Sequence, residues 1–262
     1  MTTDPAAGYL ALAERLADAA GDIIRPYFRA GVEIETKTDE SPVTIADREA
    51  ERAMRALIEA ACPDHGICGE EFPAKAGDGE WHWYLDPIDG TKAFITGIPL
   101  FGTLIGLAHR GRPVIGVMEQ PIIGERWLAG ADGAVNLNGE AIHTSANDDL
   151  ARASLITTAM SYYQPDQARA FERLSAAAGL TGMGGDCYAF GMLAAGFVDL
   201  VVECNLNEWD LAALVPIIEN AGGVITDWQG RPLRFDGQVE ISTALASANQ
   251  ALHAQALDLL QT

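Results

Sequence analysis

The hydrophobic rhythm of this chain changes twice along its length, and those changes restrict it to a layered mixture of helix and sheet. Leu10, Ala13, Leu16, Ala17, Ala20, Ile23, Ile24 and Tyr27 recur near every 3.6 residues, which predicts an amphipathic helix from Ala6 to Phe28. The same spacing at Ala46, Ala50, Met54, Leu57, Ile58 and Ala61 predicts a second helix from Ile45 to Ala61, with Pro63 just past its end. Thr44 and Asp47 fall at its start, as a variant capping box. Between Trp81 and Ala129 the pattern shortens to apolar runs parted by turn residues, read as strands at Trp81 to Leu85, Gly102 to Ala108, Pro113 to Met118 and Glu125 to Ala129. His109 to Arg112 reads as a hairpin connection, and Asn138-Gly139 as a second. After about Leu150 strands (154–158, 197–203, 223–227, 241–247) alternate with helices (165–178, 186–195, 210–220, 249–260). Pro216 should kink the third of these helices or mark its late start. With no repeat and no low-complexity linker, two intimately packed halves are expected, residues 1–148 of α+β type and 149–262 of α/β type.

Composition narrows the partners. A chain of 262 residues that is 48% apolar can bury a full core. Its 37 acidic against 17 basic residues leave a formal charge of −20, which disfavours nucleic acid and anionic membranes. The apolar runs are too short to span a bilayer, and Asp4, Pro5 and Asp18 interrupt any signal-peptide pattern, so a cytoplasmic location is expected. Cys62, Cys68, Cys187 and Cys204 form no CxxC pair and read as buried thiols.

The densest chemistry lies in Asp86-Pro87-Ile88-Asp89-Gly90-Thr91, directly after a predicted strand. Pro87 biases Asp86 toward extended backbone, and Asp89-Gly90 favours a tight turn, so two carboxylates and the Ile88 carbonyl can converge on one point. Oxygen donors in that arrangement suit a hard cation such as Mg²⁺, whereas zinc would call for His or Cys. Should Gly90 and Thr91 open a helix, their free N–H groups would seat a phosphate. Glu70 and Glu71 upstream and Asp210 downstream are further acids; taken singly, they also read as a solvated loop and a helix cap. Asp47 has the same bland alternative.

Together, Gly69-Glu70-Glu71, the Asp86–Thr91 hexapeptide, and Trp209-Asp210 followed by Ala221-Gly222-Gly223 resemble the paired signatures of the inositol monophosphatase superfamily of magnesium-dependent phosphatases, over roughly Pro42 to Asp227. Residues 85–107, 120–127 and 186–203 resemble its histidinol phosphatase branch more closely than the inositol phosphatases themselves. The resemblance implies a layered α-β-α-β-α sandwich of the inositol monophosphatase and fructose bisphosphatase type, usually dimeric. It also implies two or three Mg²⁺ ions held by Glu70, Asp86, the Ile88 carbonyl, Asp89 and Asp210. Asp47 and Thr91, hydrogen-bonded to each other, would orient the attacking water, with Glu70 counted among the catalytic residues.

Substrate contacts implied by the same resemblance fall on Asp89, Gly90, Thr91, Gly184, Gly185, Asp186, Glu203 and Asn207. Asp186 is the informative one, its bland alternative being an ordinary N-cap of the following helix. Inositol phosphatases carry small or neutral residues there, and a polyol gains little from another carboxylate. Histidinol phosphate carries an amine and an imidazole, which Asp186 and Glu203 can pair with while Asn207 meets the ring, although Glu203 matches a substrate-contact glutamate of inositol phosphatases too and does not discriminate. The expectation is therefore an Mg²⁺-dependent phosphomonoesterase that turns L-histidinol phosphate into L-histidinol and phosphate. Alternatives are an inositol or small-sugar phosphatase with the same chemistry, and a non-catalytic metal- or phosphate-binding regulator.

Overall fold

Alternation along single strands divides this molecule into layers. The computed structural model describes residues 5–31, 34–36, 42–235 and 241–262. In chain order they form α1 (Pro5–Ile24), β1 (Ile34–Thr36), β2 (Pro42–Thr44), α2 (Ile45–Ala61), β3 (Gly66–Gly69), β4 (Trp81–Asp89), α3 (Thr91–Ile95), β5 (Gly102–His109), β6 (Arg112–Gln120), β7 (Glu125–Ala129), β8 (Val135–Leu137) and β9 (Glu140–Ala141). There follow β10 (Ser154–Thr157), α4 (Pro165–Ala177), β11 (Leu180–Met183), α5 (Asp186–Ala194), β12 (Leu200–Cys204), α6 (Glu208–Leu211), α7 (Leu214–Asn220), β13 (Val224–Thr226), β14 (Thr243–Ser247) and α8 (Gln250–Gln261).

Strands β3 to β9 lie side by side in chain order as a seven-stranded sheet. Trp83, Leu85, Ile105, Leu107, Ile115 and Val117 point to one face, where α1 and α2 bury Leu16, Ala20, Ile24, Met54 and Ile58 against them. Tyr84, Leu104 and Met118 point the other way, onto Phe190 and Leu193 of α5 and Leu214, Ile217 and Ile218 of α7. A five-stranded sheet of order β11-β10-β12-β14-β13 covers this middle helical layer through Val201, Ala244 and Ala246. Its far face, with Leu155, Leu200, Val202 and Leu245, packs beneath α4 and α8 on Phe171, Leu174, Leu252, Ala256 and Leu260. The order is helix, sheet, helix, sheet, helix, the expected sandwich.

Local differences from the sequence reading have physical causes. Gly66–Gly69, for which the sequence pattern predicts no element, is a strand because it pairs parallel with β4. β11 escapes the alternation signal, with Leu180 and Met183 both exposed on a sheet edge. The strand expected from Phe197 begins at Leu200, and Phe197 is 73% exposed. The helix expected from Asp210 to Asn220 is two, and Pro216 lies in the first turn of α7, where its missing N–H breaks no helical bond. Among the described residues no helix is long and apolar enough to cross a membrane.

Candidate active site

The site begins as an irregularity in β4. Asp86 pairs with Leu104 and Asp89 with Gly102, so Pro87 and Ile88 together stand opposite Thr103 alone. A regular strand would send residues three apart to opposite faces; the extra residue in this bulge lets Asp86 and Asp89 share one. Two bonds fix it: Thr103 Oγ1 donates to the Pro87 carbonyl at 2.7 Å, and the Ile88 N–H donates to Asp86 Oδ1 at 3.0 Å. The strand therefore runs through the acidic motif and past its expected end at Leu85.

Asp210 arrives from the other side of that face. Gly106 and Gly116 are cross-strand partners on β5 and β6, and the link between α6 and α7 rests directly on them. A Cβ on Gly106 would lie 2.7 Å from Ala212, and one on Gly116 2.0 Å from the Ala213 carbonyl oxygen. Only bare backbone admits the helix this close. The Asn207 N–H donates to Asp210 Oδ2 at 2.7 Å, closing a capping box that orients the carboxylate. Asp86, Asp89 and Asp210 each bring a carboxylate oxygen within 4.8 Å of the others. Glu70 follows β3, its N–H held by the Leu85 carbonyl at 3.2 Å.

These charges sit badly with one another unless a cation joins them. Burial first, and then the charges of Glu70, Asp89 and Asp210, drive the Asp86 carboxyl well above its ordinary range. Burial and then Asp210 push Asp89 up to about 7, and burial above all lifts Asp210 to about 7. A donor set made wholly of oxygens, crowded and under mutual repulsion, fits a hard divalent cation.

Asp47 is buried in the first turn of α2, where its Oδ2 accepts the Thr44 N–H at 2.9 Å and hydroxyl at 2.6 Å. Its Oδ1 is buried with no hydrogen-bond partner among the described residues. Burial dominates and lifts this carboxyl to about 6. The expected bond between Thr91 and Asp47 is not formed. Thr91 has one hydroxyl proton, and the turn at Gly90 brings the Ile88 carbonyl within 3.2 Å to accept it.

At the other end of the cleft, Gly184, Gly185 and Asp186 have φ of 95°, 118° and 43°, three left-handed residues in succession. Asp186 is thus not a relaxed N-cap: Gly185 occupies the cap position, and the acid holds a conformation strained for any residue with a Cβ. A Cβ on Gly90 would be 3.1 Å from the Asp186 side chain, so the two stand in contact. Burial, then the charge of Asp89, pushes Asp186 up to about 7. Glu203 is buried on β12 and accepts both the N–H and the hydroxyl of Thr158, at 2.5 and 2.8 Å; burial lifts it to about 8. Asn207 lines the cleft but spends its backbone and side chain on the α6 cap.

The cleft, about 520 Å³, brings together Glu70, Asp86, Ile88, Asp89, Gly90, Thr91, Asp186, Glu203, Asn207 and Asp210. Asp47, Gly184 and Gly185 are not in its lining. Thr158, Tyr162 and Trp209 line it without having been singled out as site residues in the sequence. Tyr162 accepts a hydrogen bond from Lys92 at 2.8 Å across the mouth. No spacing signal marks Thr158, which follows the paired strand β10, or Tyr162, which sits in a single 3-10 turn at Met160–Tyr162; Trp209 is the tryptophan of the Trp209-Asp210 signature.

Residues 7–262 match the inositol monophosphatase family. An inositol monophosphatase from Zymomonas mobilis superposes with a TM-score of 0.89 at 45% identity, over 99% of this chain and 100% of that one. The chloroplastic bifunctional phosphatase IMPL2 of Arabidopsis thaliana is 43% identical over 259 residues, 97% of this chain and 75% of that one. The histidinol-phosphatase of Chlorobaculum parvum is 37% identical over 245 residues, 93% of each chain. With these likenesses and an acidic cleft built at the strand bulge, the chain belongs to the inositol monophosphatase family and is a phosphatase.

Proposed function

We propose that this phosphatase hydrolyses L-histidinol phosphate to L-histidinol and inorganic phosphate with Mg²⁺ as its cofactor. The observation that carries the reading is the placement of Asp186. Its carboxylate lies against Gly90 of the acidic motif, in the same cleft as Glu203. Six carboxylates line that cleft. Glu70, Asp86, Asp89 and Asp210, with the Ile88 carbonyl, would hold two or three Mg²⁺ ions. Asp186 and Glu203 remain; Glu203 would serve either alcohol, but the charge of Asp186 is matched by an ammonium or imidazolium and not by a neutral polyol. The similarity to histidinol-phosphatases of Chlorobaculum parvum and Streptomyces coelicolor, at 37% and 36% identity, supports the same substrate.

Bound Mg²⁺ supplies Lewis acidity, neutralising the phosphate and making water acidic enough to act as a nucleophile at neutral pH. The chain does the rest. Gly90 and Thr91 present N–H groups to the phosphate, with Asp89 beside them. Asp47 stands behind the cleft and offers its unpartnered Oδ1 to the Thr91 hydroxyl, which, once turned from Ile88, holds the attacking water in line. Gly184 and Gly185 let the backbone carry Asp186 to the alcohol, and Asn207 stands at the ring end. The same reading takes the enzyme to be a cytoplasmic homodimer.

Phosphate release from L-histidinol phosphate and from inositol 1-phosphate, with and without Mg²⁺, tests it. The expected result is at least a tenfold higher kcat/KM for the histidinol ester and no turnover without the metal. A tenfold preference for inositol phosphate would overturn the substrate, and metal-independent release would overturn the chemistry. Asp186→Asn should cost about tenfold on the histidinol ester, the size of one charge-assisted contact, and little on the inositol ester.

A further inference from the structure

Glu51 is 0% exposed on α2, an acid in a core-facing position that the mechanism above does not use. Its Oε2 accepts the Glu71 backbone N–H at 2.7 Å, and its Oε1 accepts Arg55 Nε at 2.7 Å. Arg55 in turn reaches the same loop, donating from Nη2 to the Phe72 carbonyl at 3.0 Å and from Nη1 to the Pro73 carbonyl at 3.1 Å. One acid and one base, a helical turn apart, thus pin three consecutive loop residues to a single helix. Glu70 sits immediately ahead of that clamp, and its own N–H is tied to Leu85 of β4. The fit is tight: a Cβ on Gly69 would lie 2.2 Å from Glu51 Oε1. Glycine at the head of Gly69-Glu70-Glu71 therefore makes room for the Glu51 carboxylate.

Taking a full charge out of water is unfavourable, and a loop that only needed covering would be held by neutral contacts. Here the charge is matched by two charge-assisted hydrogen bonds in a geometry that leaves neither oxygen idle. The same helix carries Asp47 one turn earlier, so α2 bears Asp47 itself and, through the clamp, holds the loop that carries Glu70.

We propose that Glu51, backed by Arg55, is a positioning residue for the cation site: it holds residues 69–73 so that the Glu70 carboxylate is aimed at Asp86 before any ion binds. This rests on the metal reading above and adds to it a residue that touches neither ion nor substrate. Partners of this kind set metal affinity by about 10- to 100-fold.

The test is calorimetric titration of Mg²⁺ into metal-stripped wild type, Glu51→Met and Glu51→Gln, beside thermal unfolding of each metal-free protein. Methionine keeps the volume and helix preference of glutamate and removes both acceptors. Glu51→Met is expected to bind Mg²⁺ at least tenfold more weakly and to need correspondingly more Mg²⁺ for half-maximal phosphate release. Its kcat at saturating Mg²⁺ should stay within about twofold of wild type, a split that general loosening of the fold would not produce. Equal Mg²⁺ affinity in wild type and Glu51→Met would overturn the proposal. Should Glu51→Met fail to fold, Glu51→Gln decides: one amide offers a single acceptor to two converging donors, so affinity should fall at least threefold, and a change under twofold overturns it. Wild type that takes up no Mg²⁺ would instead sink the metal reading itself.

Discussion

The backbone N–H of Cys187 donates to Asp89 Oδ2 at 2.6 Å, tying the first residues of α5 to the end of β4 across 98 positions of sequence. One oxygen of Asp89 is thereby spoken for, and the other is left for the cleft. Asp89→Asn keeps this acceptor and removes a charge that burial and Asp210 already disfavour. The metal-free variant should melt a few degrees higher than wild type, should gain little from added Mg²⁺, and should lose at least about 100-fold in kcat/KM, about 3 kcal/mol of transition-state stabilisation. Differential scanning calorimetry with and without Mg²⁺, together with phosphate release, checks all three. A variant stabilised by Mg²⁺ as strongly as wild type would remove Asp89 from the ligand set.

Gly116→Ala inserts a methyl 2.0 Å from the Ala213 carbonyl oxygen, backbone against backbone, where nothing flexible can yield. It should destabilise the fold by about 1 to 3 kcal/mol. It should also lift α6 off the sheet and weaken Mg²⁺ binding by moving Asp210, although residue 116 is not itself in the cleft lining. Melting temperature and Mg²⁺ titration of the same preparation measure the two effects. Full Mg²⁺ affinity in a folded Gly116→Ala protein would show that Asp210 is placed by something other than this close approach.

His253 is buried between Thr226 and Ser247, with Nε2 2.9 Å from the Thr226 hydroxyl oxygen and Nδ1 3.0 Å from that of Ser247. Burial depresses its pKa to about 4 from the ordinary 6.5. The unfolded chain takes a proton here below about 6.5 and the folded one only below about 4. Stability from this group is therefore complete above pH 6.5 and drains away as pH falls toward 4, by up to about 3 kcal/mol. The raised carboxylates act in the opposite sense, gaining as pH falls, so the measurement is the difference between wild type and His253→Gln. Wild type should lose stability relative to the variant between pH 6.5 and 4; parallel curves would contradict it.

Thr91 presently spends its proton on Ile88. On the proposed mechanism Thr91→Ser retains most of kcat, whereas Thr91→Val loses about 100-fold with little change in KM, the range of one proton-transfer or water-orienting group. Steady-state kinetics at saturating Mg²⁺ distinguishes this from a packing role, in which valine would outperform serine.

What the sequence disclosed, it disclosed locally. The α2 boundaries and the Thr44–Asp47 cap, β7, and the acidic motif depend on neighbours within a few residues, and all were legible before any coordinates. What needed the fold was set by distant partners. β3 is a strand only because β4 lies beside it, and Thr158 enters the cleft only because Glu203 on the adjoining region of sheet accepts from it. Glu51 looks like one more charge on a polar helix face until Gly69 is seen packed against it. The Thr91–Asp47 bond failed as an expectation for the converse reason: a carbonyl three residues back competes for one proton.

The bulge in β4 also bears on how this site can be copied. Asp86 and Asp89 agree in direction only while β5 runs one residue short opposite them. Grafted onto an evenly paired host strand, the hexapeptide would aim its acids to opposite sides of the new sheet, and the host would gain a motif without a pocket. A working transplant has to bring both ribbons with their mismatch intact, and a deletion that tidied the pairing would give a smoother strand that no longer gathers its acids.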